Sequence, residues 1–332
     1  MSELPPQPES VENRGIPGIE QTLKAAMAHQ SRGEYAQAER LYREVLAVEP
    51  GQPIALHLLG VLAHMAGQSE MALELIRAAI HQAPDYVAAH NNLGNVLRDL
   101  GDLEAARAAY QRALALKADY AEAIGNLGLV QVGLKEAAAA EASYRKALEL
   151  KPDLFDTLNN LGSLLCQSDR AQESISCFER ALALRPRSPG VLCNLAAAFR
   201  LAGQLEAGIS ALHQAIALQP DLAAAHHSLG LLLQRAGSLT EAEQSYRAAL
   251  ALEADNSAYC SGLASALELQ GRLTEALKHY REALKLDPDN REVAGSIGSV
   301  LLALGEAEEG LLKEQQGFGV VIFDSDQGVR FG

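Results

Sequence analysis

The sequence predicts an all-α solenoid, in which helix pairs stack in a row, instead of a globular domain with one core. Three observations predict it: a 34-residue period, two helical stretches in each period, and a composition rich in Ala and Leu. Hydrophobic residues make up 48% of the 332 residues, whereas aromatic residues make up 5% and Trp is absent. Such a composition suits many thin helix–helix contacts better than one thick core.

The period is regular along most of the chain. Rows of 34 residues align from Ile19 without insertion or deletion, giving eight rows over residues 19–290 and a partial ninth from Arg291. Each row holds two apolar-periodic stretches of about a dozen residues, the length of a three-turn helix. Glycine usually lies between the two stretches, although Lys135 and Asp169 take its place in two rows. Proline follows the second stretch in most rows, where a helix has to end.

Four columns of the alignment carry the packing prediction. Position 8 is Gly or Ala in every row, position 20 is Ala, Gly or Ser, and position 27 is Ala in all complete rows but the first, which has Val45. Position 24 is bulky throughout: Tyr42, Ile76, Tyr110, Tyr144, Phe178, Leu212, Tyr246 and Tyr280. We expect the small residues to let the two helices of one pair approach closely. The bulky residue should then fill the space between that pair and the next.

This pattern of small and large residues resembles the tetratricopeptide repeat family over roughly residues 19 to 310. The resemblance implies a right-handed superhelical solenoid of antiparallel helix pairs, with the first helix of each pair on the concave face. One such pair cannot bury its apolar face alone, so stability comes from stacking on neighbours. The resemblance also implies that the protein binds other polypeptides and is not an enzyme.

In the family, positions 2, 5, 6, 9, 12 and 13 of each repeat face the groove. The candidate peptide-binding residues at these positions are Asn91, Asn92, Asn95, Asn126, Asn159, Asn160, Asn194, His227 and Ser228. A carboxamide both donates and accepts, so a row of them can bind a peptide backbone whatever its side chains. The segment 89–97 looks like the repeats that precede the catalytic part of O-linked N-acetylglucosamine transferases, where asparagines bind extended protein segments. Hydration of an exposed face, or duplication of one ancestral repeat, would also explain the column.

The first two repeats present a different, apolar surface to the same face. Its residues are Leu23, Met27, Ile54, Leu58, Val61 and Met65. This apolar groove mouth would suit an amphipathic helix or another copy of the protein, which makes a homo-oligomer possible. Alternatively, residues 10–18 fold back and cover it. Only Lys24 is basic at positions 2, 5 and 6, so the grip on a C-terminal carboxylate used by chaperone-type members is not expected.

Composition and motifs exclude several function classes. The net charge of −14 and the absence of long basic runs argue against nucleic acid as a partner, and no apolar stretch is long enough for membrane insertion. The nine His and four Cys show no metal-ligand spacing and no C-x-x-C pair, so we predict neither a metal nor a cofactor. No catalytic motif appears. The simplest location is cytoplasmic, in a reducing compartment.

The two ends differ from the repeats. We expect residues 1–18 to be disordered, 19–290 to form the eight repeats, 291–316 to form capping helices, and 317–332 to form a β-hairpin-like tail. The tail would pack on the last helices, pair with another chain, or begin a further domain. Two alternative functions stay open. One is a self-assembling structural scaffold, and the other is the substrate-binding arm of a transferase whose catalytic part is absent.

Overall fold

The computed structural model describes residues 16–318, 321–324 and 328–331, and the side chains of residues 18–317. In this part of the chain, eighteen helices follow one another: α1 Ile16–Ser31, α2 Tyr35–Val48, α3 Pro53–Met65, α4 Ser69–Gln82, α5 Val87–Asp99, α6 Leu103–Leu116, α7 Ala121–Gly133, α8 Ala137–Leu150, α9 Phe155–Gln167, α10 Ala171–Leu184, α11 Pro189–Leu201, α12 Leu205–Leu218, α13 Ala223–Arg235, α14 Leu239–Leu252, α15 Ser257–Leu269, α16 Leu273–Leu286, α17 Arg291–Ala303 and α18 Ala307–Phe318. The predicted all-α solenoid of antiparallel helix pairs is confirmed.

The helix bounds follow the 34-residue rows. From the second row onward, the first helix of each pair begins at position 1 of its row, and in every row the second helix begins at position 17. The chain divides into two compact units, one ending at Asn160 and the other beginning at Leu161. Within each unit, the two helices of a pair contact each other and then the following pair.

In the first unit, the bulky side chain of column 24 lies against the glycine of column 8 in the same pair. A Cβ atom on Gly94 would come within 2.5 Å of the Tyr110 ring, and one on Gly128 within 2.7 Å of the Tyr144 ring. Tyr110 and Tyr144 are fully buried. Position 8 is therefore small because the ring of its own pair takes the space of a side chain.

The second unit shows why column 24 also matters between pairs. The Tyr246 ring lies between Gly230 of its own pair and Gly262 of the next, where added Cβ atoms would approach it to 2.8 and 2.6 Å. Column 20 is equally tight, and its one serine among the complete rows, Ser174, is buried with its hydroxyl donating to the Gly162 carbonyl at 2.7 Å. The column-27 alanines are fully buried as well, including Ala249.

The turns within the pairs share one backbone conformation. Seven turn glycines have φ between 73° and 87°, in the left-handed region that costs glycine little. Lys135 and Asp169 adopt the same conformation, with φ of 64° and 54°, although neither is glycine. Where glycine is missing, the turn therefore keeps its conformation at the cost of local backbone strain. The helices on either side keep their positions in the row.

The two ends of the described chain differ from the repeats between them. Helix α1 begins at Ile16, within the segment 1–18 expected to be disordered, and residues 1–15 lie outside the described part. Pro17 suits this first turn because its missing N–H group would have no helical partner there. At the other end, α18 continues to Phe318. Strands β1, Val321–Asp324, and β2, Gly328–Phe331, pair antiparallel, and residues 325–327 of the predicted turn are not described.

Candidate functional site

Six predicted asparagines lie on the first helices of the first unit. They are Asn91, Asn92 and Asn95 on α5, Asn126 on α7, and Asn159 and Asn160 on α9, and we call them the Asn face. Asn91 is buried, with 6% of its surface exposed, and the other five are half-buried. Asn194 on α11 and the His227–Ser228 pair on α13 are half-buried in the second unit.

On α5, the three asparagines form one hydrogen-bonded group. Both Asn95 Nδ2 and Asn91 Nδ2 donate to Asn92 Oδ1, at 3.1 and 3.3 Å. Asn92 Nδ2 in turn donates to Nε2 of His57 on α3, at 2.8 Å. The central carboxamide is therefore fixed by neighbours on its own helix and on the preceding first helix.

Two further hydrogen bonds join this group to other helices. Asn126 Nδ2 donates to Asn91 Oδ1 at 3.1 Å, which links α7 to α5. The Tyr110 hydroxyl on α6 donates to Asn95 Oδ1 at 2.8 Å, which links the two helices of the third pair. The asparagines thus hold neighbouring first helices together, a role that the column alone did not indicate.

His57 belongs to this network although the sequence analysis did not select it. It is 3% exposed, and burial lowers the pKa of its imidazole to about 4, so the ring is neutral near pH 7. Because Asn92 Nδ2 can only donate, His57 Nε2 accepts, and the ring proton lies on Nδ1, 2.9 Å from the Tyr86 hydroxyl oxygen. A signal was present: His57 occupies position 5 of its row, as Asn91 does.

Part of the hydrogen-bonding capacity of the Asn face stays available. A carboxamide has two N–H groups and two lone pairs. Asn126 uses one N–H group on Asn91, and among the described contacts its second N–H and its oxygen have no partner. Asn160 likewise makes no side-chain hydrogen bond within the described residues. These two half-buried side chains are the members of the face best placed to bind a ligand.

The residues of the predicted apolar groove mouth differ in burial: some lie in or against the core, and others are exposed at the surface. Leu23 is 7% exposed and lies in the core of the first two pairs, because position 5 faces the neighbouring helices; it is not part of an exposed stripe. Ile54 and Leu58 are half-buried against that core, and Val61 is half-buried. Only Met27 and Met65 are clearly exposed, at 48% and 57%. Beside Met65, a cavity of about 230 Å³ is also lined by Tyr35 and Met71.

The second unit contains a polar cavity of about 280 Å³ between α13, α15 and α17. His227 lines it, together with three small hydroxyl-bearing residues: Ser261, which occupies groove position 5 of its row, Ser265 and Ser296. The His227 ring packs against the rings of Tyr246 and Tyr259, with centroids 5.7 and 4.9 Å apart, and burial lowers its pKa. Ser228, its neighbour in sequence, is half-buried on the same helix.

Two other searches of the described residues concern metals and membranes. No group of three or more His, Cys, Asp or Glu side chains in this part of the chain is arranged to hold a metal ion. Likewise, no helix among those described has both the length and the apolar character needed to cross a bilayer. The four cysteines are not disulfide-bonded, and burial raises the thiol pKa of Cys193 and Cys260.

Family models for the tetratricopeptide repeat match the chain along most of its length. One matches residues 23–87, 193–259, 227–291 and 261–316, together more than half of the chain. Others match residues 94–135, 121–154 and 153–221. No curated protein matches the sequence. These models do not separate the transferase-arm type of repeat from other types.

Solved structures share the fold. Cut9–Hcn1 of the APC/C is 16% identical, with a TM-score of 0.63 over 86% of this chain and 57% of that one. A tetratricopeptide repeat protein from Parabacteroides merdae is 17% identical, with a TM-score of 0.55 over 75% and 99%. YrrB, described as a TPR protein with an unusual peptide-binding site, is 21% identical, with a TM-score of 0.50 over 56% and 96%.

Proposed function

The chain belongs to the tetratricopeptide repeat family, whose members are generally protein-interaction scaffolds, and we propose that it binds an extended polypeptide along the Asn face. The observation that carries the proposal is the repetition of half-buried carboxamides on consecutive first helices. Asn92, Asn126 and Asn160 occupy position 6 of consecutive rows, 34 residues apart. The proposed role is that of a non-catalytic scaffold or adaptor.

The chemistry of the face suits a peptide backbone. An extended chain offers one N–H donor and one C=O acceptor per residue, and a carboxamide can pair with both. The free N–H and oxygen of Asn126 therefore match a bound backbone without any demand on its side chains. Hydrogen bonds to neighbours hold Asn91, Asn92 and Asn95 in place, which lowers the entropy cost of binding on this surface.

The same network decides which variants test the proposal. Asn92 is bonded to His57, so its removal would disturb the packing of α5 on α3 as well as any ligand. Asn126→Ala with Asn160→Ala removes two carboxamides at the cost of one internal hydrogen bond. The matched control is Gln111→Ala with Gln172→Ala, which deletes two exposed carboxamides from the second helices.

The experiment starts from a displayed library of random 12-residue peptides selected on the full chain. We expect the selected peptides to bind the Asn126→Ala/Asn160→Ala variant at least about tenfold more weakly, the effect of losing one or two good hydrogen bonds. The control variant should bind like the wild type, and circular dichroism should show all variants equally helical. Equal affinity for both double variants would refute binding at the Asn face.

A second candidate, self-association through the first two repeats, is favoured by one observation. Met27, Met65 and Met71 are exposed near one end of the repeat array, and exposed methionines are common on adaptable binding surfaces. If two copies associate there, the mass measured by light scattering will rise with concentration. Met27→Gln with Met65→Gln should then abolish that rise. A constant monomer mass at all concentrations would exclude this candidate.

A further inference from the structure

We propose that the hydrogen bonds between Asn126 and His57 form a chain with one direction, and that this direction makes Asn126 present its oxygen and one N–H group to a ligand. His57 is then a positioning residue for the Asn face, two rows away from the side chain that it controls. What the inference says of the ligand rests on the proposed function, whereas the direction of the chain does not.

Two links of the same kind build the chain. Asn92 Nδ2 donates to His57 Nε2 at 2.8 Å, and Asn126 Nδ2 donates to Asn91 Oδ1 at 3.1 Å. Each link joins position 6 of one row to position 5 of the row before it, across 35 residues. On α5, the bond from Asn91 Nδ2 to Asn92 Oδ1, at 3.3 Å, connects the two links. All three bonds therefore run from donor to acceptor towards His57.

The opposite direction is a distinct alternative. In a carboxamide, a half-turn of the terminal group exchanges the nitrogen and the oxygen at nearly the same positions. If every carboxamide of the chain turned, His57 would donate from Nε2, and Asn126 would accept from Asn91. Burial lowers the pKa of His57 to about 4, so near pH 7 the ring carries one proton and serves one direction at a time. The ring is the Nδ1–H tautomer in the observed direction and the Nε2–H tautomer in the other.

Tyr110 decides between the two directions. Its hydroxyl donates to Asn95 Oδ1 at 2.8 Å, and Asn95 Nδ2 donates to Asn92 Oδ1 at 3.1 Å. In the reversed chain Asn92 would point an N–H group at Asn95, which would have to turn and leave the buried Tyr110 hydroxyl without its acceptor. A buried donor without an acceptor is costly, which favours the observed direction. Tyr86 favours neither, because its hydroxyl can accept from or donate to His57 Nδ1, 2.9 Å away.

The chain ends at Asn126 because the next carboxamide is missing. Position 5 of the fourth row is Gly125, where an added Cβ atom would lie 2.6 Å from Thr157 Oγ1. Asn160, in the fifth row, thus has no carboxamide at the position that Asn91 fills for Asn126. Among the described contacts, the bond to Asn91 is the one that Asn126 makes, so its oxygen and second N–H group stay available.

The two directions offer different atoms to a ligand. In the observed direction, the Asn126 oxygen needs an N–H donor from the ligand. In the reversed direction, Asn91 would use that oxygen, and Asn126 would present two N–H groups. The observed direction therefore suits an extended polypeptide that has a free backbone N–H at this site. It disfavours a proline or an N-methylated residue there, since neither carries that proton.

The tautomer of His57 is the first readout. Long-range proton–nitrogen correlation spectra of the full chain, with isotope-labelled histidine, separate the two tautomers, and His57→Gln identifies the resonances. Asn126→Asp supplies a carboxylate that can only accept, so Asn91 should turn an N–H group towards it and reverse the chain. Asn160→Asp, the matched control, adds the same charge to the same face outside the chain. Asn92→Asp accepts from His57 directly and gives the reference spectrum of the Nε2–H form.

We expect the Nδ1–H tautomer in the wild type and in Asn160→Asp, and the Nε2–H tautomer in Asn126→Asp. Adding Tyr110→Phe to Asn126→Asp should complete the change, since phenylalanine needs no acceptor. An Nε2–H ring in the wild type would overturn the inference, and this spectrum needs no variant to fold. A ring that stays Nδ1–H in the Tyr110→Phe/Asn126→Asp variant, or that changes in Asn160→Asp, would overturn it as well.

The ligand part is tested on peptides selected on the full wild-type chain from the random 12-residue library. Each backbone N–H of a selected peptide is methylated in turn, and the affinity is measured by fluorescence anisotropy. We expect one position at which methylation weakens binding to the wild type about tenfold and has no effect on binding to Asn126→Ala. Peptides that depend on Asn126 and Asn160 but have no such position would overturn this part and leave the proposed function standing. Peptides that bind Asn126→Ala/Asn160→Ala as tightly as the wild type would refute the proposed function, while the His57 tautomer alone decides the direction of the chain.

Discussion

Tyr110 and Tyr144 occupy the same column of consecutive repeats but differ in what their hydroxyl groups contact. Both are fully buried, and each ring packs on the column-8 glycine of its own pair. The Tyr110 hydroxyl donates to Asn95 Oδ1 at 2.8 Å, whereas the Tyr144 hydroxyl has no hydrogen-bond partner among the described residues. Replacement by phenylalanine should therefore stabilise the protein at one position and destabilise it at the other.

The magnitudes follow from the two environments. A buried polar group without a partner costs about 1–3 kcal/mol, so Tyr144→Phe should raise the free energy of unfolding by about 1 kcal/mol. Tyr110→Phe should lower it by about 1 kcal/mol, because it removes a hydrogen bond and leaves Asn95 Oδ1 with one partner fewer. The two variants should thus differ by about 2 kcal/mol. The ring itself fits without its hydroxyl, since Phe178 occupies the same column against Gly162.

Urea denaturation followed by circular dichroism measures the difference, with native-state hydrogen exchange as the local readout. Exchange is needed because repeat arrays do not always unfold in one cooperative step. Tyr144→Phe should slow exchange in α7 and α8, Tyr110→Phe should speed it in α5 and α6, and α15 serves as an internal reference. Destabilisation of about 1 kcal/mol or more by Tyr144→Phe would refute the reasoning, because the hydroxyl would then have a partner.

Three further substitutions test other features. Ala249→Leu should cost about 1–3 kcal/mol by overpacking a fully buried site, whereas Ala251→Leu on the exposed face of the same helix should leave the melting temperature nearly unchanged. Lys135→Gly should stabilise by about 1 kcal/mol in urea denaturation by relieving φ of 64°, and Gly101→Ala should do the opposite. Since the pKa of His57 is lowered to about 4, the unfolded chain takes up the proton first, and stability present above pH 6.5 is lost as the pH falls toward 4. By pH 5 the loss should be about 2 kcal/mol, and His57→Gln should flatten this part of the urea-derived pH profile.

The packing columns could be predicted because each repeat imposes the same steric requirement. One glycine and one aromatic residue at this spacing, such as Gly94 and Tyr110, would not by themselves predict a contact. The same spacing recurs at Gly128 and Tyr144, and this repetition predicts that the two columns pack together. Position 17 likewise begins a second helix in every row. Because these spacings recur in several rows, an exception in one row does not hide them. The strain at Lys135 escaped prediction because its φ is set by the turn and not by the residue.

The candidate site was less predictable because neighbouring positions on one helix face differ in burial. In the first three rows position 5 lies against the adjacent helices, which buries Leu23, His57 and Asn91, whereas Asn159 at the same position and Asn126 at position 6 are half-buried. Both positions belong to the groove in the family pattern, so the column could not separate a structural asparagine from a binding one. The hydrogen bond from Asn126 to Asn91 depends on the distance between helices, which no single repeat encodes.

The chemistry of position 6 changes along the chain. Asparagine at 92, 126 and 160 offers donors and acceptors that any peptide backbone satisfies, so this part of the face should bind without sequence preference. Glycine at 262 and serine at 296 lack that carboxamide, and both line the cavity of about 280 Å³ in the second unit. Peptides of unrelated sequence should therefore bind the Asn face of the first unit with similar affinity. Selected peptides whose affinities all depend on one shared side chain, and not on Asn126 and Asn160, would contradict this.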